Sequence, residues 1–513
     1  MKSKILYILL SGLIWLSSCD KDFLNLSPET SITSASFYKT VTHFDQALNA
    51  SYVAMRAIAL NGIFMDEMRS DNTFFTIYTG DRGPYLTTEV LAEFLDDATT
   101  ATWLPNRYNG VYSGISRVNT ILARIDGSQM TDSEKKSVRA EALFLRAFYY
   151  FDLVQHWGPV PLMLNEVTTE AEAFIPNSTV DEIYAQIIKD VTEAIQIGLP
   201  VASTFPQSGR ATMGAAKMLL AYAYMTKPSR EYAKAESALI DITKMNYALL
   251  SNYADVFSPS NKNNKESILE VQYQVGEGGQ NSDFAWRMIP KCSNTEFLMG
   301  VSANNYAYTS GGWNVPTQEM IDSYETGDKR LDASVGIAEG TLDGEQFTAT
   351  AVKNASGYKP TAGKDFFYFV RKYYHPPYSQ GLNTGDNFPI YRYSGALLLL
   401  AECLVEQNKA TEALTYVNQV RARAGLSPLT AVTKESVANE MRHELAYENH
   451  RWTDLIRTGK AIEKMKEHAT RMKALYPWLL PTAFNIQEYR LLYPFYFREL
   501  NVNKNLKQNP GYN

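Results

Sequence analysis

Apolar residues recur at helical spacing through most of this chain, and one long central stretch breaks the habit. Over residues 36–60, Phe37, Val41, Phe44, Leu48, Tyr52 and Met55 fall three or four apart, which puts them on one helical face. A second helix opens at Thr131, where Thr131-x-x-Glu134 forms a capping box. Its apolar positions run through Val138, Ala142, Leu145, Phe148 and Tyr149, and Gly158-Pro159 ends it. The second half of this helix is apolar nearly all round, which predicts burial among other helices. Residues 178–197 form a plainer amphipathic helix, with Val180, Ile183, Tyr184, Ile187, Ile188, Val191 and Ile195 on its buried face.

Residues 214–245 and 395–423 share one design: an Ala/Leu-rich helix, a short polar turn, and a second helix entered through alanines. The turns are Lys227-Pro228-Ser229 and Gln407-Asn408-Lys409; the alanines are Ala233, Ala235 and Ala238, then Ala410 and Ala413. Small side chains at those places let paired helices approach closely. Stacked pairs of about 34 residues define the tetratricopeptide architecture. Between the two pairs, residues 251–389 are rich in Gly, Asn, Ser and aromatics, with strand-like pieces at 267–275 and 366–374. The expected fold is therefore mainly α: tetratricopeptide-like helix pairs supporting a loop-rich, aromatic-rich insertion with short strands. Irregular insertions on rigid frames are where binding functions concentrate.

The N-terminus changes the picture of where the protein works. Lys2 and Lys4 precede an apolar run over 5–16, shorter than the roughly 20 residues a spanning helix needs. That is the pattern of a secretion signal. Leu16-Ser17-Ser18-Cys19 then offers a branched apolar residue, two small residues and a cysteine, as bacterial lipoprotein processing requires. Residues 1–18 are read as the signal peptide, Cys19 as the lipidation site, 19–30 as a tether and 31–513 as one domain. Each buried methylene contributes about 0.8 kcal/mol, so several acyl chains hold durably where one would not. The other cysteines, Cys292 and Cys403, allow one disulfide at most and match no zinc spacing. Neither a metal nor a cofactor is expected. A net charge of −6 without a basic block argues against a nucleic-acid partner.

Catalytic motifs fail on inspection. A zinc protease needs His-Glu-x-x-His, but Tyr447 occupies the second histidine's place after His443-Glu444, and His450 lies further on. Glu440, Glu444 and Glu448 share a helical face, yet Arg442, Arg451 and Arg457 accompany them, so an ion-pair network is expected rather than an acid–base pair. There is no Gly-x-Ser-x-Gly elbow or phosphate loop, and Gly276-Glu277-Gly278-Gly279 lacks the following helix a nucleotide site needs. Scattered aspartates can still pair in three dimensions, so these motifs give catalysis no support without excluding it.

Several segments together resemble the SusD/RagB family of outer-membrane nutrient-binding lipoproteins. They are Cys19-Asp20-Lys21-Asp22-Phe23-Leu24; the run from Arg139-Ala140-Glu141-Ala142 to Arg146-Ala147-Phe148-Tyr149-Tyr150-Phe151, continuing to Trp157-Gly158-Pro159-Val160-Pro161; and Gly209-Arg210-Ala211-Thr212 with Ala215-Ala216-Lys217. Later come Arg421-Ala422-Arg423-Ala424-Gly425, Glu444-Leu445-Ala446-Tyr447-Glu448, Arg451-Trp452 with Asp454-Leu455, and Gln508-Asn509-Pro510-Gly511-Tyr512. The resemblance implies a non-catalytic protein on the outer leaflet of the outer membrane, held by its lipid anchor. It would capture oligosaccharide and deliver it to a SusC-like TonB-dependent transporter; Asp20 and Asp22 resemble the surface-export signal of such bacteria. A peptide-binding, RagB-like member is the alternative within the family, and a glycoside hydrolase with two carboxylates the alternative outside it.

Sugars are held by stacking their C–H faces on aromatic rings while polar groups bond the hydroxyls. Tyrosine is abundant, at 33 residues, which suits amphipathic ligands. The candidate platforms are Trp103, Tyr85, Trp286, Tyr306, Tyr308 and Trp313, all in Gly/Asn/Thr-rich surroundings. Trp103-x-x-Asn106 resembles a Trp-x-x-Asn pair of starch-binding members, and Asp71, Asn72 and Arg82 lie in the preceding loop region, where such members also draw polar contacts. Trp157, Trp452 and Trp478 read as structural.

Overall fold

A computed structural model describes residues 37–512 apart from 81, 277 and 302–310. The periodic segment at the start becomes two helices, α1 (Val41–Tyr52) and α2 (Ala54–Gly62), with a break at Val53. It starts later than its spacing predicts, because Tyr38 takes φ +55° and the chain turns helical only after Thr40, whose side chain accepts the His43 N–H. Helix α2 then widens into a π-helical turn, Ile63–Glu67. Six further helices build the first part of the frame up to the insertion and its far side: α3 (Trp103–Arg124), α4 (Asp132–Trp157), α5 (Val180–Ile197), α6 (Met213–Thr226), α7 (Tyr232–Thr243) and α8 (Tyr393–Glu406). Four more follow: α9 (Ala410–Ala424), α10 (Lys434–Glu444), α11 (Arg451–Arg457) and α12 (Ala461–Leu475).

The Thr131 capping box is formed, and Gly158 ends α4 at φ +66°. As its all-round apolarity predicts, the second half of α4 is almost entirely buried. Each long helix packs on the next from α3 to α9, and α10 closes onto α8. Both alanine-entered hairpins, α6–α7 and α8–α9, are present, so the mainly helical, hairpin-stacked class holds. Helix α7 packs directly on α8. The central insertion therefore leaves and rejoins the stack at one point.

That point is stitched by backbone. Strands are β1 (Thr73–Phe74), β2 (Val160–Pro161), β3 (Asn177–Ser178), β4 (Ser267–Val271), β5 (Val315–Pro316), β6 (Val335–Asp343), β7 (Gln346–Asn354), β8 (Asp365–Val370) and β9 (Phe388–Arg392). Antiparallel β4–β9 joins the two ends of the insertion. Within it lies a three-stranded antiparallel sheet ordered β7–β6–β8, of which the sequence pattern signals only the third strand. Glycines in β6 obscure that strand; β7 holds none. A Cβ at Gly336 would meet the Phe369 ring at 2.4 Å, and one at Gly340, beside a bulge, would meet the Thr348 carbonyl at 2.0 Å. Close approach demands glycine there and erases the apolar alternation that marks a strand. This sheet, Trp286 and Cys292 form a small core of the insertion's own, whereas Cys403 belongs to the helical core; both thiols are free.

Candidate ligand platform

Strand β1 pairs with β5, Thr73 opposite Pro316 and Phe74 opposite Val315. This register draws the segment after the π-helical turn against the insertion, and two of the expected tryptophans meet there. Trp103 opens α3. Its indole stacks on Phe64 with centroids 4.0 Å apart and planes at 20°, while its Nε1 donates to Thr88 Oγ1 at 2.9 Å. One face is thus covered and one edge pinned, yet the side chain stays only partly buried. Trp313 packs edge-on against the same Phe64 at 6.1 Å and against Phe75 at 6.1 Å. It is 8 % exposed, so it backs the surface more than it forms it.

Polar chemistry reaches the rings from a residue the sequence analysis did not single out. The Arg287 guanidinium lies 5.6 Å from the Trp103 centroid and 6.0 Å from that of Phe64. Those near-equal distances to two stacked rings put it beside the stack. Its Nε and Nη2 donate to the Asp283 carboxylate at 2.8 and 2.6 Å, and its carbonyl accepts the Trp313 N–H at 3.1 Å. Nη1 has no protein acceptor among the described contacts. The one available signal was the opposite charge four residues earlier on a helical turn; Phe64 carried none, being one apolar residue among many. Close by, the Lys291 ammonium sits 4.0 Å over the Tyr78 ring.

Of the remaining expected residues, Asn106 is exposed one turn along from Trp103. Arg82 forks onto Glu89 at 3.0 and 2.6 Å and lies over the Tyr85 ring at 5.3 Å; both are partly exposed, in the turn preceding Thr88. Three assignments are corrected. Asp71 is 2 % exposed and gripped by Arg451 at 2.7 and 2.8 Å and by Arg442 at 3.3 Å; those guanidinium groups hold its carboxyl well below the usual range against the cost of burial. Asn72 is fully buried, donating to Glu67 at 2.8 Å and accepting from Arg442 at 2.8 Å. Trp286 is fully buried in the insertion's core. None of the three presents a group to a ligand: Asp71 and Asn72 spend their polar capacity inside the protein, and Trp286 is wholly enclosed. Tyr306, Tyr308 and Cys19 lie outside the described residues. Trp157 and Trp452 are buried as expected, but Trp478 is only half-buried.

The carboxylates Glu440, Glu444 and Glu448 do enter an ion-pair web, with different cations from those expected. Glu444 meets Arg330, Arg392 and Arg423; Glu440 meets Arg330 and Arg421; Glu448 meets Arg392 and Lys372. Arg442 turns instead to Asp71 and Glu319, Arg451 to Asp71, and Arg457 to Glu402 and Asp454. His443 bonds Ser323 at 2.9 Å, and burial beside these guanidinium groups pushes its pKa down to about 3. A cavity of about 380 Å³ between α8, α10, α11 and α12 is lined by apolar residues such as Met441, Leu445 and Leu455 together with paired charges such as Arg457–Glu402 and Lys434–Glu406.

A stack of helical hairpins carrying a braced, partly open tryptophan beside a fixed arginine fork has the build of a glycan-binding protein. Residues 265–512 match the model of the SusD family, and residues 22–225 match a SusD-like model described as starch-binding and associating with the outer membrane. The chain belongs to the SusD family. SusD-like protein P38 of Formosa agariphila is 26 % identical, covering 99 % of this chain and 98 % of that protein. Starch-binding protein SusD of Bacteroides thetaiotaomicron is 24 % identical over 81 % of this chain and 80 % of its own length. The solved structure of a laminarin-binding SusD-like protein superposes with a TM-score of 0.73 at 26 % identity, covering 93 % of this chain and all of that one.

Proposed function

We propose that this protein captures oligosaccharides on the partly exposed ring of Trp103 and passes them to a SusC-like TonB-dependent transporter, while acyl chains on Cys19 hold it at the outer leaflet of the outer membrane. The observation that carries this reading is the preorganised indole: backed by Phe64 at 4.0 Å, pinned through Nε1 to Thr88, and bordered by the Asp283-held Arg287. A ring fixed before the ligand arrives loses little freedom on binding. The guanidinium Nη1 supplies a hydroxyl partner beside the ring, the combination by which sugars are held. Starch and laminarin, the glucans named for its relatives, define the first ligands to try. The carboxylates of the ion web serve no acid–base step in this reading, since each is neutralised by arginine or lysine.

The test is a glycan-array and affinity-gel screen of the mature protein, with Trp103→Ala and Trp313→Ala alongside. Trp103→Ala is expected to lose retention and Trp313→Ala to weaken it. Retention of a glycan by both variants at the level of the parent would reject the platform. Binding of peptides and of no glycan would move the protein to the peptide-binding alternative, and new reducing ends would make it a hydrolase. Co-purification of a TonB-dependent barrel, and acyl-modified Cys19 in the mature protein, test the partner and the anchor.

A further inference from the structure

Among the described tryptophans, Trp103 and Trp478 stand apart: Trp157, Trp286 and Trp452 are at most 1 % exposed and Trp313 is 8 % exposed, whereas these two are only half-buried. They are the two ends of one run of ring contacts. Trp103 touches Phe64 at 4.0 Å, Phe64 touches Trp313 at 6.1 Å, Trp313 touches Phe75 at 6.1 Å, and Phe75 touches Trp478 at 5.8 Å. The outer rings therefore lie no more than about 22 Å apart. Trp478 crowns a turn of unusual surface. Leu475 is 59 % and Leu480 45 % exposed, Tyr476 is half-buried, and Pro477 and Pro481 are exposed. Contiguous apolar surface of this kind marks a binding site.

The turn is also held in shape. Lys473 Nζ donates to the Pro481 carbonyl at 3.0 Å, the Leu479 N–H to the Tyr476 carbonyl at 3.1 Å, and Tyr476 and Trp478 both stack on Phe74 at 5.6 and 6.3 Å. The turn's exit is tied to the platform directly, because the Phe484 N–H donates to the Glu93 carbonyl at 2.6 Å, just after the short helix Glu89–Ala92 that follows the Thr88 pin of Trp103.

We propose that the 475–481 turn is a second sugar-stacking position, with Trp478 as its platform, and that the ligand is an oligosaccharide long enough to touch Trp103 and Trp478 at once. The inference rests on the glycan-binding reading of Trp103 and adds a length requirement to it. An oligosaccharide reaching about 22 Å spans the greatest separation these ring contacts allow.

The experiment compares laminaritriose with laminarihexaose, and maltotriose with maltohexaose, by titration calorimetry of the mature protein in detergent, with Trp103→Ala, Trp478→Ala and Trp478→Phe. Trp478→Ala is expected to weaken the hexasaccharide about five- to ten-fold and the trisaccharide less than about two-fold, an aromatic stacking contribution read through affinity. Trp478→Phe restores most of the loss, and Trp103→Ala weakens both lengths. Three results overturn the inference while leaving the Trp103 platform standing: Trp478→Ala equal to the parent on the hexasaccharide, equal losses at both lengths, or an effect confined to co-purification of a barrel partner. Trp103→Ala without effect beside a harmful Trp478→Ala removes the platform and the continuity together. Failure of the unaltered protein to bind either series removes both readings.

Discussion

The ion web around Glu444 and the tryptophan surface around Trp103 are both dense clusters of functional-looking side chains, and they differ in what is left over. In the web every carboxylate faces cations: Arg392 alone bonds Glu266, Glu444 and Glu448 at 2.7, 2.9 and 2.7 Å. Arg330 and Arg392 are at most 2 % exposed, and charges this deep are tolerated only when paired and hydrogen-bonded. At Trp103 the protein covers one face and pins one edge of the ring, and the side chain stays partly exposed. Arg287 follows the same rule, since its fork binds Asp283 while Nη1 has no protein acceptor among the described contacts. A site is recognised by capacity the protein holds in place and does not use. Clusters whose carboxylates are all matched by cations, as in the web, are scaffold.

The largest effect is expected where that contrast is broken from the scaffold side. Glu444→Ala leaves Arg330, Arg392 and Arg423 short of a carboxylate and should cost about 3–5 kcal/mol of stability in denaturant titration, with glycan affinity of the folded fraction unchanged. A comparable drop in affinity with no loss of stability would make the web part of the site. His443 sharpens the same point through pH. An unfolded chain protonates this imidazole at its ordinary 6.5, but the folded protein resists until about 3, because burial and four arginines oppose a further positive charge. The stability it contributes is complete above pH 6.5 and disappears as pH falls toward 3, by up to about 1.4 kcal/mol per pH unit. The difference in unfolding free energy between the parent and His443→Gln should therefore shrink across that window and stay flat above it; a flat difference throughout would show that the histidine is not held neutral.

Smaller effects are expected on the other side of the contrast. Trp103→Ala should lower glycan affinity of the folded protein about ten-fold or more, with a smaller loss of stability because it uncovers one face of Phe64. Smallest is Thr131→Ala, which removes the capping box of α4 for about 1 kcal/mol of stability and no change in glycan affinity. A binding change from that variant would mean the frame and the platform are coupled.

The corrections to the site follow the same physics. Asp71 and Asn72 sit in a polar loop sequence of the kind that meets ligands, yet Arg442 and Arg451, some 370 to 380 residues away along the chain, reach in and take their hydrogen-bonding capacity. Trp286 occupies a helical turn on which its neighbour Arg287 faces the platform; which of the two turns inward depends on the sheet packed against them, and β6 was obscured by the glycines that let the sheet form. Trp478 erred the other way, because an isolated tryptophan in a Leu/Pro-rich stretch carries no mark of which side it shows to water.

Sequence alone determined what repeats at short range: the helices α4 to α9 with their caps and turns, the hairpin pairing implied by alanines at helix entries, the absence of a recognisable catalytic motif, and the family. The helices and their pairing follow from spacing of 3.6 residues and from local hydrogen bonds, which neighbours in the chain set by themselves, whereas the family rests on the resemblance of whole segments. Tertiary structure decided which charges pair, which tryptophans are core and which are surface, and that Phe64, Thr88, Asp283 and Arg287 converge on Trp103. Those outcomes depend on contacts between segments hundreds of residues apart, where burial is fixed by what packs on a side chain and not by the side chain's own character.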